Sequence, residues 1–333
     1  MKSVSLAGLI VSLSVTVVPS FSVNATAASY PVPGDLGTYD SGISHSCLIS
    51  SLGNVKCTGE NSRGELSGEI TPLQDFVTVP LPERAIYIAA LNQTTCAILE
   101  PGSVYCWGDN RYGQVNGRTV SDAERNPTRV IGLPASVTKV ALTERSGLAL
   151  TTEGELWSWG GIGTVQAPYY LGRNGSLQPE KVTSFGGPLR DFTTSTDNVC
   201  GLLRIGVTKC FGMNWTYNIG YKQLPTQNTG NFAPRSHKSQ TPYPAEDLPT
   251  SGVSLETVGS LICATMTDRS VWCWGETFSP WDYRLTVPSI VSSTYASGIF
   301  QKPIQLFTSQ DEARVLRTHG GDTGTAYCLL VAE

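Results

Sequence analysis

Cys96-Ala-Ile-Leu-Glu-Pro-Gly102-Ser-Val-Tyr-Cys106-Trp107-Gly108-Asp-Asn110-Arg-Tyr-Gly113-Gln114 decides how this chain reads. Its two cysteines stand ten residues apart, and a glycine follows the second by two. The same spacing returns at Cys47 and Cys57, at Cys200 and Cys210, and at Cys263 and Cys273, with Gly59, Gly212 and Gly275 behind them. A copy without cysteine fits between at Leu148, where Ser158, Trp159 and Gly160 take the later positions. A further copy starts at Cys328. Anchors at 47, 96, 148, 200, 263 and 328 recur every ~50–65 residues, the period of a repeat architecture. The copy at Leu148 loses both cysteines together. That is the pattern of a paired role, since a lone thiol is a liability in an exported chain.

Each copy reads as a β-hairpin. Six residues after the anchor stands glycine in four copies: Gly53, Gly102, Gly154 and Gly206. The fifth copy has Arg269 there. Glycine tolerates the positive φ that a tight three-residue hairpin loop requires. Val55, Val104, Leu156, Thr208 and Val271 follow on the second strand, and Thr58, Trp107, Trp159, Phe211 and Trp274 come three residues later. An even spacing can place both cysteines on one face of the hairpin, directly opposed, where a disulfide can close. By chain entropy, each ten-residue loop so closed contributes ~2.5–3 kcal/mol. Trp-Gly sets a large apolar plate beside a residue that permits close backbone approach. One hairpin per repeat leaves room for two more strands. Radially arranged sheets of about four strands are the β-propeller solution to the edge problem. A linear solenoid is the rival, with shorter repeats.

These residues resemble the regulator of chromosome condensation repeat family. Its repeat contains Gly-x-x-His-Ser/Thr-x-Ala-Leu, a glycine turn, and Trp-Gly-x-Asn-x-x-Gly-Gln-Leu-Gly. Gly42-Ile-Ser-His45-Ser-Cys-Leu-Ile is similar to the first part, and Cys106-Trp-Gly-Asp-Asn110-Arg-Tyr-Gly113-Gln114-Val-Asn-Gly117 to the second. The cysteine-stapled form looks like the secreted, mostly bacterial branch. The resemblance spans roughly residues 37–333 and implies a propeller, usually of seven blades. Two departures stand out. Ile162 and Thr277 replace the asparagine after Trp-Gly, and the sixth copy reaches Glu333 before its turn, so Cys328 has no partner ten residues on. The expected fold is an all-β propeller of six or seven blades, the last incomplete or closed by the mature N-terminus. Residues 28–333 form its single domain.

Composition agrees. The 34 glycines and 20 prolines suit a turn-rich β protein rather than a helical one. Basic and acidic residues number 23 and 27, with no basic run, so there is no electrostatic footprint for nucleic acid. Lys2, the apolar run Leu6 to Val18, and Ala25-Thr-Ala27 read as a signal peptide over residues 1–27. No later run reaches the ~18 apolar residues of a membrane span. Export and paired cysteines both point to an oxidising compartment, so the mature chain is expected to be secreted, periplasmic or at the cell surface, and monomeric. Asn92-Gln-Thr94, Asn174-Gly-Ser176 and Asn214-Trp-Thr216 match the glycosylation acceptor pattern of a eukaryotic secretory pathway.

Chemistry is sparse. His45 occupies a repeating slot held elsewhere by Thr94, Ser146, Asn198, Leu261 and Ala326, which is the mark of a turn or inter-blade hydrogen-bonding residue rather than a base. His237 lies in a polar stretch. The cysteine spacing does not fit a zinc element, and no nucleophile elbow, phosphate loop or zincin motif occurs. No catalytic residue, metal or cofactor is expected. Asp109, Asp282 and Asp322 would have to pair in space for glycoside hydrolysis.

Function is expected on loops presented by a rigid scaffold. Phe278-Ser-Pro-Trp281-Asp-Tyr283-Arg284 and Tyr169-Tyr170-Leu-Gly-Arg173 carry Trp, Tyr and Arg outside the repeated core. Those residue types most often carry interface energy. Gln223 to Pro249 is a longer polar excursion. The expectation is a protein-binding propeller that is an adaptor, inhibitor or scaffold. The resemblance offers two precedents: nucleotide exchange on a small nuclear GTPase, which export and disulfides disfavour, and secreted propeller inhibitors of β-lactamase. A carbohydrate-binding propeller and an extracellular hydrolase are the alternatives.

Overall fold

The computed structural model describes residues 39–68, 74–161, 177–195, 198–213, 238–245, 248–258, 261–276, 299–307, 313–315 and 329–331. The expected signal peptide and Cys328 lie outside them. Every regular element among the described residues is a strand.

Sheet one is β1 (Tyr39–Ser41), β2 (His45–Ile49), β3 (Val55–Gly59) and β4 (Gln74–Thr78). Sheet two is β5 (Ala85–Leu91), β6 (Thr94–Leu99), β7 (Ser103–Asp109) and β8 (Ala123–Arg129). Sheet three is β9 (Val137–Leu142), β10 (Ser146–Thr151), β11 (Leu156–Gly160) and β12 (Glu180–Val182). Sheet four is β13 (Leu189–Thr194), β14 (Asn198–Leu203), β15 (Thr208–Met213) and β16 (Lys238–Pro244). Sheet five is β17 (Gly252–Val258), β18 (Leu261–Met266), β19 (Val271–Glu276) and β20 (Ile299–Phe307). Each is an antiparallel meander in chain order. The sixth repeat contributes a pair, β21 (Ala313–Val315) and β22 (Leu329–Val331). The first strands of sheets one to five contact one another in sequence, β1 on β5, β5 on β9, β9 on β13 and β13 on β17. This is the radial arrangement of a β-propeller.

The repeated hairpin forms the second and third strands of each sheet. Its register pairs Cys47 with Cys57, Cys96 with Cys106, Cys200 with Cys210 and Cys263 with Cys273. All four pairs are disulfides, with Cα atoms 4.0–4.1 Å apart. Leu148 pairs with Ser158 in the same register, as the missing-together pattern requires. The turn is a three-residue loop: Ser50 N–H donates to Asn54 O at 2.9 Å, and Gly53 has φ +81°. In sheet five Met266 N–H donates to Ser270 O at 2.9 Å, and Arg269 is forced to φ +68° where its counterparts are glycine.

The period-2 alternation explains the core. Each cysteine and the aromatic after it point to opposite faces of one sheet. Cys47 and Cys57 therefore pack with Trp107 of the next sheet, Cys96 and Cys106 with Trp159, and Cys200 and Cys210 with Trp274. In the disulfide-free sheet, Leu148 fills the slot and meets Phe211, whose ring lies 5.2 Å from that of Phe185. The cores lie between sheets, and the disulfides are part of them.

The meander sorts connections to two ends. At the hairpin end, the four links that join sheets one to five are tied to hairpin turns: Ala85 N–H to Gly53 O, Thr152 N–H to Ser136 O, Leu189 N–H to Gly154 O and Thr267 N–H to Ser251 O, all at 2.9 Å. At the other end lie the turns joining first to second strands and the segments joining third to fourth strands. Ile43 N–H to Asn92 O and Asp109 N–H to Gln93 O, both at 2.9 Å, tie these together.

Candidate binding surface

The third-to-fourth-strand segments begin with a built loop. Asn110 is fully buried; its Oδ1 accepts from Val115 N–H at 3.0 Å and its Nδ2 donates to Thr119 O at 3.0 Å. Asn61 does the same in sheet one, accepting from Leu66 N–H at 2.9 Å. The loop so held presents one backbone carbonyl to the next sheet. Trp107 Nε1–H donates to Glu65 O, and Trp159 Nε1–H to Gln114 O, each at 2.7 Å. The Asn-x-x-Gly-Gln/Glu run therefore serves packing. Glu65 stands where the second copy has Gln114, and burial pushes its carboxyl above the usual range.

Four further polar side chains, His45, Asp40, Asp191 and Lys139, stitch sheets together. His45 Nε2 lies 2.7 Å from Thr95 Oγ1 of sheet two. Desolvation lowers its pKa to about 4, against a smaller opposing pull from Asp40. Of the two roles its repeating slot allows, a turn or an inter-blade hydrogen bond, the structure shows the second. Asp40 Oδ2 accepts from Ala90 N–H and Asp191 Oδ2 from Leu255 N–H, so each covers an otherwise open edge of the next sheet's first strand. Lys139 Nζ sits 2.7 Å from Asp191 Oδ1 and 3.7 Å from Glu256 Oε1, joining the first strands of sheets three, four and five.

Of the residues singled out in the sequence, Trp281, Tyr283 and Arg284 and Tyr169, Tyr170 and Arg173 lie outside the described residues, as do Asp282, Asp322 and His237. Their flanking strands are described. The first group falls between β19 and β20 and the second between β11 and β12, so both segments start and finish at the loop end. On that end Arg145 stacks over the Tyr112 ring at 5.1 Å, and Arg111 holds Asp109 through two contacts of 2.8 and 2.9 Å. Asp109 is thus engaged by a guanidinium. Among the described residues no group of three His, Cys, Asp or Glu is placed to hold a metal ion. A cleft of about 370 Å³ beside Glu153, Leu156 and Pro188 has Glu155 and Lys181 in its lining, already paired at 2.6 Å. Sequence reasoning missed the exposed aliphatics of the hairpin end. Their one signal was an apolar residue just before a turn glycine, Leu52 before Gly53 and Ile205 before Gly206.

The fold and these loops define a repeat β-propeller. Residues 88–114, the stretch from β5 through the Asn110 loop, match the regulator of chromosome condensation (RCC1) repeat. The chain is a β-propeller similar in fold to RCC1-repeat propellers. Human WBSCR16 superposes with a TM-score of 0.63 at 16% identity, over 83% of this chain and 68% of that one. Prp20p from Saccharomyces cerevisiae, studied for binding to Gsp1p and histones, gives 0.62 at 19%, over 83% and 65%. The yeast RCC1 (Prp20) chain bound to Kap60 gives 0.61 at 18%, over 84% and 63%. The chain thus spans about two thirds of the length of each. At such identities the likeness is one of fold. No curated protein sequence matches.

Proposed function

We propose that this chain acts by binding another protein, as an exported adaptor, inhibitor or scaffold without catalytic activity. The observation that supports this most is topological. The aromatic-bearing segments each connect a third to a fourth strand, and the strands that flank them belong to sheets fixed by disulfides and buried cross-sheet hydrogen bonds. Rigid scaffolds that present variable loops are suited to recognition. The RCC1-like propellers it resembles include proteins studied for binding Gsp1p, histones and Kap60. Export rests on the reading of residues 1–27, and the four disulfides suit an oxidising compartment.

Affinity capture tests the reading. The chain from Ala28, made in an oxidising host, is immobilised beside a variant carrying Trp281→Ala and Tyr283→Ala. One protein retained by the parent and lost by the variant is the expected result. Retention of glycans, or equal retention by both, would remove the loop end from consideration.

A further inference from the structure

The hairpin end carries a feature that the loop-end reading does not use. The first strands of sheets two to five each bear a β-bulge near their start. The extra residues are Ile86, Thr138, Arg190 and Val253, at one structural position on successive sheets, and all four are exposed. A bulge leaves its residue out of the ladder and re-aims the side chain. Five of the large apolar side chains exposed on the described surface lie at this end: Leu52, Ile86, Ile131, Ile205 and Val253.

In sheets four and five the aliphatics meet arginines. Arg190 Nη1 reaches Gly252 O at 3.4 Å and its Nη2 reaches Arg204 O at 3.3 Å, which places its guanidinium between the neighbours of Val253 and Ile205. Ile205 is 76% exposed, as a turn tip, and Val253 41%. The turn carrying Arg269 is tied to the same link through Thr267 N–H and Ser251 O. Among the described residues no carboxylate pairs with Arg190, Arg204 or Arg269. Hydrogen bonds from Ser270 hold the adjacent Asp268 ionised, so the Arg269 turn carries one charge of each sign. Among the described residues, then, the guanidinium groups of Arg190 and Arg204 have no ion-pair partner; Arg190 lies between the backbone neighbours of two exposed aliphatic side chains, and Arg204 Nη2 donates to Thr152 O at 2.8 Å on the adjoining turn.

We infer that this patch docks an acidic segment of a partner protein that also carries aliphatic side chains. Guanidinium groups recognise carboxylates in a planar, two-point manner, and Ile205 and Val253 supply the desolvated centre that such an interface needs. The aliphatics favour a polypeptide over a nucleic acid or sulfated glycan, which would use the arginines alone. The inference shares with the proposed function only the class of partner, because the surface lies at the opposite end of the sheets.

The test uses an array of short synthetic peptides that permute Asp and Glu with Leu and Ile. Serine-for-aliphatic versions of the same peptides and a single-stranded oligonucleotide serve as controls. The parent is expected to prefer acidic–aliphatic peptides. Arg190→Glu with Arg204→Glu, and separately Ile205→Ser, should each weaken binding at least about tenfold. Ile205 makes no side-chain hydrogen bond, so its variant keeps the fold. Absence of any peptide preference, equal binding by the variants, or equal affinity for the serine peptides or the oligonucleotide overturns the inference. A Trp281→Ala, Tyr283→Ala variant should bind the peptides as the parent does, so failure here and failure of the loop-end reading are told apart.

Discussion

The indole N–H of Trp159 donates to the backbone carbonyl of Gln114 at 2.7 Å, across the boundary between sheets three and two. The contact is buried on both sides, with Trp159 fully inaccessible and Gln114 1% exposed. Trp159→Phe keeps most of the ring and removes the donor. An unsatisfied buried acceptor costs about 1–3 kcal/mol, so the variant should unfold at lower denaturant with an unchanged slope. Equal midpoints would show that the contact contributes nothing net.

His45 makes stability depend on pH. Its folded pKa is about 4 against 6.5 in the open chain. Above pH 6.5 neither state is protonated, and the buried neutral ring is at no disadvantage. As pH falls from there towards 4 the unfolded chain takes up a proton that the folded one refuses, and stability is lost, by up to about 3 kcal/mol. Denaturation midpoints measured from pH 7.5 to 4 should fall in the parent and stay flatter in His45→Gln. Parallel curves for the two proteins would rule out His45 as the titrating group.

Arg269 sits at φ +68°, where the other hairpins have glycine. Left-handed backbone costs a side-chain-bearing residue about 1 kcal/mol, partly offset by glycine's greater unfolded freedom. Arg269→Gly should therefore raise stability by roughly 0.5–1 kcal/mol, read from urea melts. A loss of stability would mean that the arginine side chain contributes more than its backbone costs.

Leu148 and Ser158 face each other in the register that holds a disulfide in four other sheets. The double variant Leu148→Cys, Ser158→Cys should close a fifth bridge on oxidative folding, seen as one linked peptide in a non-reducing digest. Its stabilisation should fall below the ~2.5–3 kcal/mol of loop closure, because Leu148 leaves its contact with Phe211. Two free thiols in the folded protein would refute the equivalence of the five hairpins.

The sequence made the hairpin legible to the residue. Cysteine spacing, the turn glycine and the following aromatic each impose a local geometry, and the observed pairs Cys47–Cys57 and Leu148–Ser158 follow from them. The two outer strands of each sheet were inferred as space to be filled, not located, because β8 and β16 run through polar stretches such as Ala-Glu-Arg-Asn and Lys-Ser-Gln-Thr without alternation. Cross-sheet partners were less legible. The repeating slot of His45 points to a turn or an inter-blade hydrogen bond, but Thr95 as its partner depends on how far one sheet is rotated from the next, which no single repeat encodes. The bulges at Ile86, Thr138, Arg190 and Val253 left no trace, since an extra residue in a ladder changes register without changing composition.

Every described disulfide closes inside one sheet, and none crosses a boundary. Oxidation therefore hardens the beads and leaves the string untouched. A chain pulled from its ends, or exposed to an agent that wets the seams, can part sheet from sheet with all four bridges intact. What is freed is a row of preformed hairpins, each still in register and ready to re-dock, rather than a featureless coil.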